Sequence, residues 1–590
     1  MTGIAGGTLT GSELRSAAGE MWHEPWYDSE YVEAGDGGIG ILHHGDRDPD
    51  AHTVWTDGRR GGVLHGAVSL PPELDTPAHL FEALLDDATA VLPRLQGSFL
   101  VAAVGADAGF VVATDRLGSR PCHYTTTGGF RFASEMDALL AGLSDPTVDE
   151  QAVSDVILVG HPWGTRTLLE EVSRLPPATV LQYEGGDSTT RRYWQPSYEE
   201  ASPGAPYLNE LTRRYRSSVS ACAETMPDGS GVWLSGGLDS RSLVAVLTAD
   251  SDPVGLDAYT YDANPKAGGN PKLARDVADE VGLDVREVEL SPDRFTDVLE
   301  RCVRISGGML QWNSFFNLTS VFSLDDDDAT VLLEGAGQGE LIGNHLRQYH
   351  FTDVDSVVDS LYRSEAGNDL DTVRSVLTNE VDPLTSFKES VAESDAKNLS
   401  ESVLDLHFRN YYARKTLASD QIARSRVGTR VAYLHGDFLD HAARLPLKYR
   451  MRTVPFTDGQ IPVGVSPAKL GLMRRLDDAL SQIPYERTNV PPSWPWPIHV
   501  GGFIGGTAFD RLTSGQTYGG WGIPGTWYNA DAGFRAYLDD LIDAACERPL
   551  FDAATLESAR DRHRRGEADM MHLLAPVTTV ELWLDSVLED

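Results

Sequence analysis

The hydrophobic pattern changes period at several points along the chain. In the first half, Leu95–Ala103 and Gly109–Thr114 are short apolar, β-branched runs bounded by glycines and acidic residues. That pattern predicts stacked antiparallel sheets. Val153–Gly160 switches to helical spacing. The stretch Pro196–Pro206, rich in Pro, Ser, Gly and Glu, predicts a boundary between a unit at 1–195 and another at 207–590. Beyond it, strand and helix alternate: a helix at 208–223, a strand–turn–helix at 232–247, a strand at 254–261, a helix at 272–283 and a strand at 284–290. A buried strand at 330–333 and an apolar C-terminal helix at 572–584 complete the series. Alternation of this kind predicts a parallel sheet covered on both faces, with ligand at the carboxyl ends of its strands. The expected fold class is therefore mixed, α+β followed by α/β. The acid run Asp325–Asp328 reads as a solvated loop and Val490–Trp527, rich in Pro, Gly and Trp, as an irregular packed segment.

Chemistry concentrates in one of these units. Val232-Trp233-Leu234 leads into Ser235-Gly236-Gly237-Leu238-Asp239-Ser240-Arg241. A strand, a glycine pair and a helix start let backbone N–H groups turn towards one anion, helped by the helix dipole. Ser235 and Ser240 supply hydroxyl donors, and Asp239 can hold Mg²⁺ against phosphate oxygens. The spacing is neither that of a Walker loop nor of a dinucleotide fingerprint.

Composition narrows the partners. With 590 residues the chain is too long for one core. Its formal charge is −39 and only seven of its 49 basic residues are lysine, which argues against nucleic-acid or anionic-membrane partners. Such acidity fits a hydrated surface adapted to high salt, a halophilic trait. Cys122, Cys222, Cys302 and Cys546 have no paired spacing and read as buried thiols. His43, His44 and His65 fit no standard zinc pattern and read as hydrogen-bonded structural residues. No run is long enough to span a membrane and no leader pattern opens the chain, so a cytoplasmic enzyme is expected.

The Ser-Gly-Gly-Leu-Asp-Ser run resembles the PP-loop ATP pyrophosphatases, and its surroundings resemble asparagine synthetase and its relatives. The first half, through Leu95–Ala103, Asp115–Tyr124 and Phe132–Met136 in order, is similar to the class II glutamine amidotransferase domain of that family, an Ntn-hydrolase-like fold, and Leu175–Trp194 resembles the family's connecting hairpin. This resemblance implies ATP and Mg²⁺ as cofactors, with nucleotide held by Leu234, Ser235, Gly236, Gly237, Asp239, Ser240, Tyr261 and Gly335 and metal by Asp239. It implies that Lys469, in Pro467–Arg475, stabilises charge on the adenylate and departing pyrophosphate. The partners would be a small-molecule carboxylate and ammonia or an amine; an oligomer stays open.

Departures from the family pattern are specific. Thr2 stands where the glutaminase nucleophile is a cysteine, His65-Gly66 replaces Asn-Gly, and the carboxylate-clamping arginine has no counterpart near His43–Asp46, although Asp75 matches the substrate-amine acid. A dead glutaminase is expected. In Glu334–His345, Ala336 replaces the active-site glutamate or tyrosine and Gly339 a Mg²⁺ carboxylate. Arg430 is retained within Arg424–Leu434. The primary expectation is an AMP-forming ligase; the alternative is a non-catalytic, nucleotide-binding relative with a regulatory or assembly role.

Overall fold

The structure is a computed structural model, and it describes all residues except 106–108, 250–254, 263–268, 344–350, 453, 455–462, 514–521 and 589–590. Val254 and the tail of the 334–345 signature, Asn344 and His345, lie outside the described residues.

The first half is an antiparallel sandwich. One six-stranded sheet runs in the order 173–174, 123–125, 131–133, 3–7, 37–43, 28–34, and the other 187–192, 179–184, 109–114, 100–105, 60–65, 52–56. Registers such as Ile4 opposite Ile41 and Val63 opposite Ala102 turn alternate side chains into the space between the sheets. There Ile4, Ile39, Ile41, Leu100, Ala102, Val104, Phe110 and Val112 form a dry core. Helix Pro77–Val91 covers the outer face of the second sheet with Leu80, Phe81 and Leu84. The hairpin expected at 175–194 is present, its strands Thr179–Glu184 and Asp187–Arg192 joined through Gly185 and Gly186 at φ 60° and 98°. Both positive angles fit the turn that follows strand twist, and a side chain at either would be strained.

The second half carries a five-stranded parallel sheet in the order 285–288, 257–261, 231–233, 331–333, 428–430. Its inner strands are buried along both faces, as in Val331-Leu332-Leu333, because helices cover both sides, whereas edge strand 285–288 exposes Arg286 and Glu287. The chain starts at the central strand, steps outward through 257–261 and 285–288, then crosses to 331–333 on the other side. The order therefore reverses between 231–233 and 331–333, the switch point outside whose carboxyl strand ends sheets of this kind place their ligand crevice.

Two expectations change. Residues 496–513 and 523–530 are helices rather than an irregular segment, Pro497 and Pro524 sitting in the first turns where a missing N–H costs nothing. The acid run is only partly solvated: Asp325, Asp326 and Asp327 are exposed, whereas the Asp328 carboxylate is tucked against Arg286 and accepts from the Tyr259 hydroxyl.

The two halves share one apolar cluster, in which Met1, Ala5 and Met21 join Leu299, Val303, Leu574 and Trp583. Buried polar links run across the same join. Arg430 grips Asp48 at 2.7 and 2.9 Å, Arg192 grips Asp405 at 2.7 and 2.8 Å, and Arg424 donates to Ser119 O at 3.0 Å. No helix among the described residues is long and apolar enough to cross a membrane.

Candidate active site

The site is assembled where the strand order reverses. Strand Gly231–Trp233 is clamped at its end by Leu234 N donating to Tyr259 O at 2.7 Å, and helix Leu238–Leu247 begins four residues later. Between them, Ser235 N donates to Ser240 Oγ at 3.1 Å, Gly237 N donates to Ser235 Oγ at 3.2 Å, and the two hydroxyls lie 3.0 Å apart. The loop is thus pre-organised, with its hydroxyls holding the amides in place. The glycines are needed for close approach rather than for left-handed backbone: Gly237 has φ −73°, and neither it nor Gly236 is among the positive-φ residues. A Cβ on Gly236 would lie 2.9 Å from Leu273 Cβ and 3.3 Å from Glu486 Oε2.

Asp239, in the first helical turn, faces Lys469. Nζ lies 2.8 Å from Oδ1 and 2.9 Å from Oδ2, with the lysine mostly buried. Lys469 is aimed by its own helix start: in helix Pro467–Leu476, Ser466 Oγ accepts from Lys469 N at 3.2 Å and donates to Ile342 O at 2.7 Å. That second bond ties the lysine's helix to the segment after strand 331–333. In this segment Gly335 presses on the loop, since a Cβ there would lie 2.8 Å from Ser240 N. Gly339, where the family pattern expects a carboxylate, faces the ion pair: its Cβ would lie 3.0 Å from Lys469 Nζ. The ammonium thus borders the space into which a side chain at 339 would extend.

Two acids missed by sequence reasoning, or given only a minor place in it, line the same crevice. Glu486 has its carboxyl against Gly236 and Gly237; burial and, more weakly, Asp239 push its pKa up, while Arg487, Arg241 and Lys469 oppose the shift. It reaches the loop because buried Arg241 donates to Ile483 O at 2.7 Å, Pro484 O at 3.0 Å, Gly236 O at 3.2 Å and Leu480 O at 3.3 Å. Nothing in the spacing of Tyr485-Glu486-Arg487 marks this, because the contact arises only from that tertiary staple. Glu334, at the end of strand 331–333, has its pKa pushed up to about 8 by burial and by Asp420. The Tyr261 hydroxyl accepts from Asn317 Nδ2 at 2.7 Å, and burial raises its pKa to about 12.

The other candidates lie in the antiparallel half. Thr2 immediately precedes strand Gly3–Gly7 and is 1% exposed; its Oγ1 has no hydrogen-bond partner among the described residues. The Met1 amine donates to Met21 O at 3.1 Å and pairs with buried Glu135, which His23 Nε2 also meets at 2.8 Å. Burial, then Arg301, pulls this amine well below its usual pKa. His65 accepts from Arg120 Nη1 at 3.0 Å, His44 Nε2 lies 3.0 Å from Arg424 O, and Asp75 is exposed beside His79. His43 accepts from Gly45 N at 3.1 Å and stacks on His52 with ring centres 3.7 Å apart, Glu30 lying next to both.

Comparison with known proteins follows the same division. Residues 217–460 match the asparagine synthase family and residues 75–194 the glutamine amidotransferase domain family. Thr2, Lys469 and Glu486 fall outside both matched ranges. The chain is 24% identical over 286 residues to a glutamine-hydrolysing asparagine synthetase 2 of Arabidopsis thaliana, covering 46% of this chain and 43% of that protein. It is 27% identical over 240 residues to the root glutamine-hydrolysing asparagine synthetase of Pisum sativum, covering 39% and 36%. These matches span less than half the length of either relative. A solved allosteric regulatory enzyme of purine biosynthesis aligns over 68% of this chain and 93% of its own at 10% identity, but with a TM-score of 0.24 it adds nothing to the fold seen in the strand pairing. Two family matches in the order amidotransferase then synthase, falling on an antiparallel sandwich and a parallel sheet with a Ser-Gly-Gly-Leu-Asp-Ser loop, make the chain similar to the glutamine-hydrolysing asparagine synthetases over those segments.

Proposed function

We propose that the protein is an ATP-dependent, AMP-forming ligase that adenylates a small-molecule carboxylate and transfers its acyl group to ammonia or an amine. In the first step a carboxylate oxygen bonds to the α-phosphorus as the bond to the β-phosphate oxygen breaks, releasing pyrophosphate. In the second the amine nitrogen bonds to the acyl carbon and AMP leaves. The observation that carries this reading is the Asp239–Lys469 pair on a pre-organised PP-loop at the switch point of the parallel sheet. An ammonium fixed beside the loop is suited to charge that builds on departing pyrophosphate.

The donor set fits a triphosphate through the hydroxyls of Ser235 and Ser240, which here hold the amides of Ser235 and Gly237, with Gly335 close enough to exclude any side chain. Leu234 and Tyr261 border the same crevice. For Mg²⁺, Asp239 and Glu486 are the acids at the loop that would hold it, and when bound it neutralises phosphate charge. Because Asp239 already shares both oxygens with Lys469, the lysine supplies part of the positive charge itself.

The buried Thr2 and His65-Gly66 in place of Asn-Gly support free ammonia or an amine, rather than glutamine hydrolysed at Thr2, as the nitrogen source. On this reading 1–195 is an inactive amidotransferase-like unit, 207–590 is the synthase unit, and the enzyme works in the cytoplasm. The test is carboxylate-dependent exchange of labelled pyrophosphate into ATP across a panel of acids. Exchange that is lost in Asp239→Asn supports the ligase; none with any acid leaves a non-catalytic nucleotide binder.

A further inference from the structure

A second cluster of cations lies away from the PP-loop, around a cavity of about 100 Å³ between the two halves. Arg174, from the short strand 173–174, and Arg409 and Arg414, from the segment Phe408–Thr416, line it together with Asn410 and Thr165. That segment is a nine-residue π-helix, an uncommon geometry that recurs at functional sites.

The charges there are not balanced. Arg174 and Arg414 are 8% and 3% exposed, yet neither forms an ion pair among the described residues. Arg174 makes a single long hydrogen bond, Nη2 to Ala413 O at 3.4 Å. Arg414 donates to the carbonyls of Gly164 and Arg166 at 2.5 and 2.6 Å, and its Nε has no partner. Arg409 reaches Asp405 only at 3.8 Å, and that carboxylate is already held on both oxygens by Arg192. Glu393, the one acid on the cavity wall, is exposed and pairs with none of the three. Burial pulls the Arg174 pKa down to about 10, and Arg174 in turn adds to the depression at Arg414, opposed by the more weakly acting Asp155, so the two cations sit in each other's field. An uncompensated buried cation is strongly destabilising, and a pair of them is more so. It is all the more unexpected in a chain of charge −39, with acids in ample supply.

We propose that this cavity is a binding site for a compact phosphate-class oxyanion, held by the guanidinium groups of Arg174 and Arg409, with the charge of Arg414 on the same wall. Guanidinium forks match tetrahedral oxyanions through paired N–H···O bonds, which explains why all three are arginine. The bound anion would tie the sandwich, through Arg174, to the helical part of the second half, through Arg409 and Arg414, and so act at the join of the two units. The site stands independently of the ligase reading.

The test is thermal melting of the full chain titrated with inorganic phosphate at constant ionic strength, with chloride as the exchanged ion. Wild type should show a saturable rise in melting temperature. Arg174→Met should lose that rise, while in chloride alone it should melt no lower than wild type, since an unpaired charge has been removed. Arg409→Gln, a milder change, should need ~10-fold more phosphate for half the effect. Asp239→Asn should keep the full response, because the PP-loop is not involved. A parallel titration with glycerol 3-phosphate identifies the source: a rise with it assigns the site to a phosphate ester, and a rise with inorganic phosphate alone to the free ion. Equal effects of phosphate and chloride, or an undiminished response in both arginine variants, would overturn the proposal, as would a response lost in Asp239→Asn alone.

Discussion

At the scale of single residues, the site is defined by what surrounds Asp239. Lys469 holds both carboxylate oxygens and borders the room a side chain at Gly339 would use. Lys469→Ala should therefore lower the rate of pyrophosphate exchange by ~10²–10³-fold while the protein stays folded, the magnitude expected for removing one group that stabilises transition-state charge. Gly339→Asp bears on the same point from the other side. Its Cβ meets the flexible end of Lys469 at 3.0 Å and lies 3.8 Å from Asp239 Oδ2, so the fold should persist, and the new carboxylate beside Asp239 should lower the Mg²⁺ concentration needed for ATP binding in a calorimetric titration. Glu334 gives a pH signature. Its folded pKa of about 8 exceeds the usual 4.5, so the folded state holds a proton that the unfolded chain releases between those values. The stability it contributes is complete below about 4.5 and is lost as pH rises towards 8. Denaturant melts across that window should show a falling stability in wild type and a flatter profile in Glu334→Gln.

At the scale of elements, Arg241 joins the PP-loop helix to residues 480–484, and Glu486 follows from that staple. Arg241→Met leaves several buried carbonyls without donors, at about 1–3 kcal/mol each. It should destabilise by about 3 kcal/mol or more in urea melts and weaken ATP binding through the displaced loop. The strand–turn–helix at 231–247 and the helical run at 153–160 were legible because their signals are local, period and turn glycines, whereas the hairpin at 179–192 was reached only through family resemblance and the helix start at Glu150 with its Asp149 cap was not read. Glu486 was not, since its place depends on carbonyls gathered by one arginine from another element. Helix Trp496–Thr513 was obscured by its glycines and prolines, which read as breakers in isolation. The reason for the PP-loop glycines also differed: crowding by Leu273 and Glu486, not positive φ, requires them.

At the scale of the molecule, sequence periodicity pointed to two kinds of sheet but could not show that their cores merge. Met1 and Met21 pack with Leu299 and Trp583, and Asp48 meets Arg430 across more than 380 positions of chain, with a separation of 382. Such contacts carry no local pattern. The charge of −39 is a molecular property as well: melting temperature should rise from low to molar KCl as self-repulsion is screened, in far-ultraviolet circular dichroism melts. The whole account turns on nucleotide held by the loop at 235–240 and neutralised in part by Lys469. Calorimetric titration of the full chain with ATP and Mg²⁺ measures this directly. Saturable binding in wild type, markedly weakened in Lys469→Ala, is the expected result; no heat of binding in wild type at saturating ATP and Mg²⁺, or binding unchanged by Lys469→Ala, would contradict it.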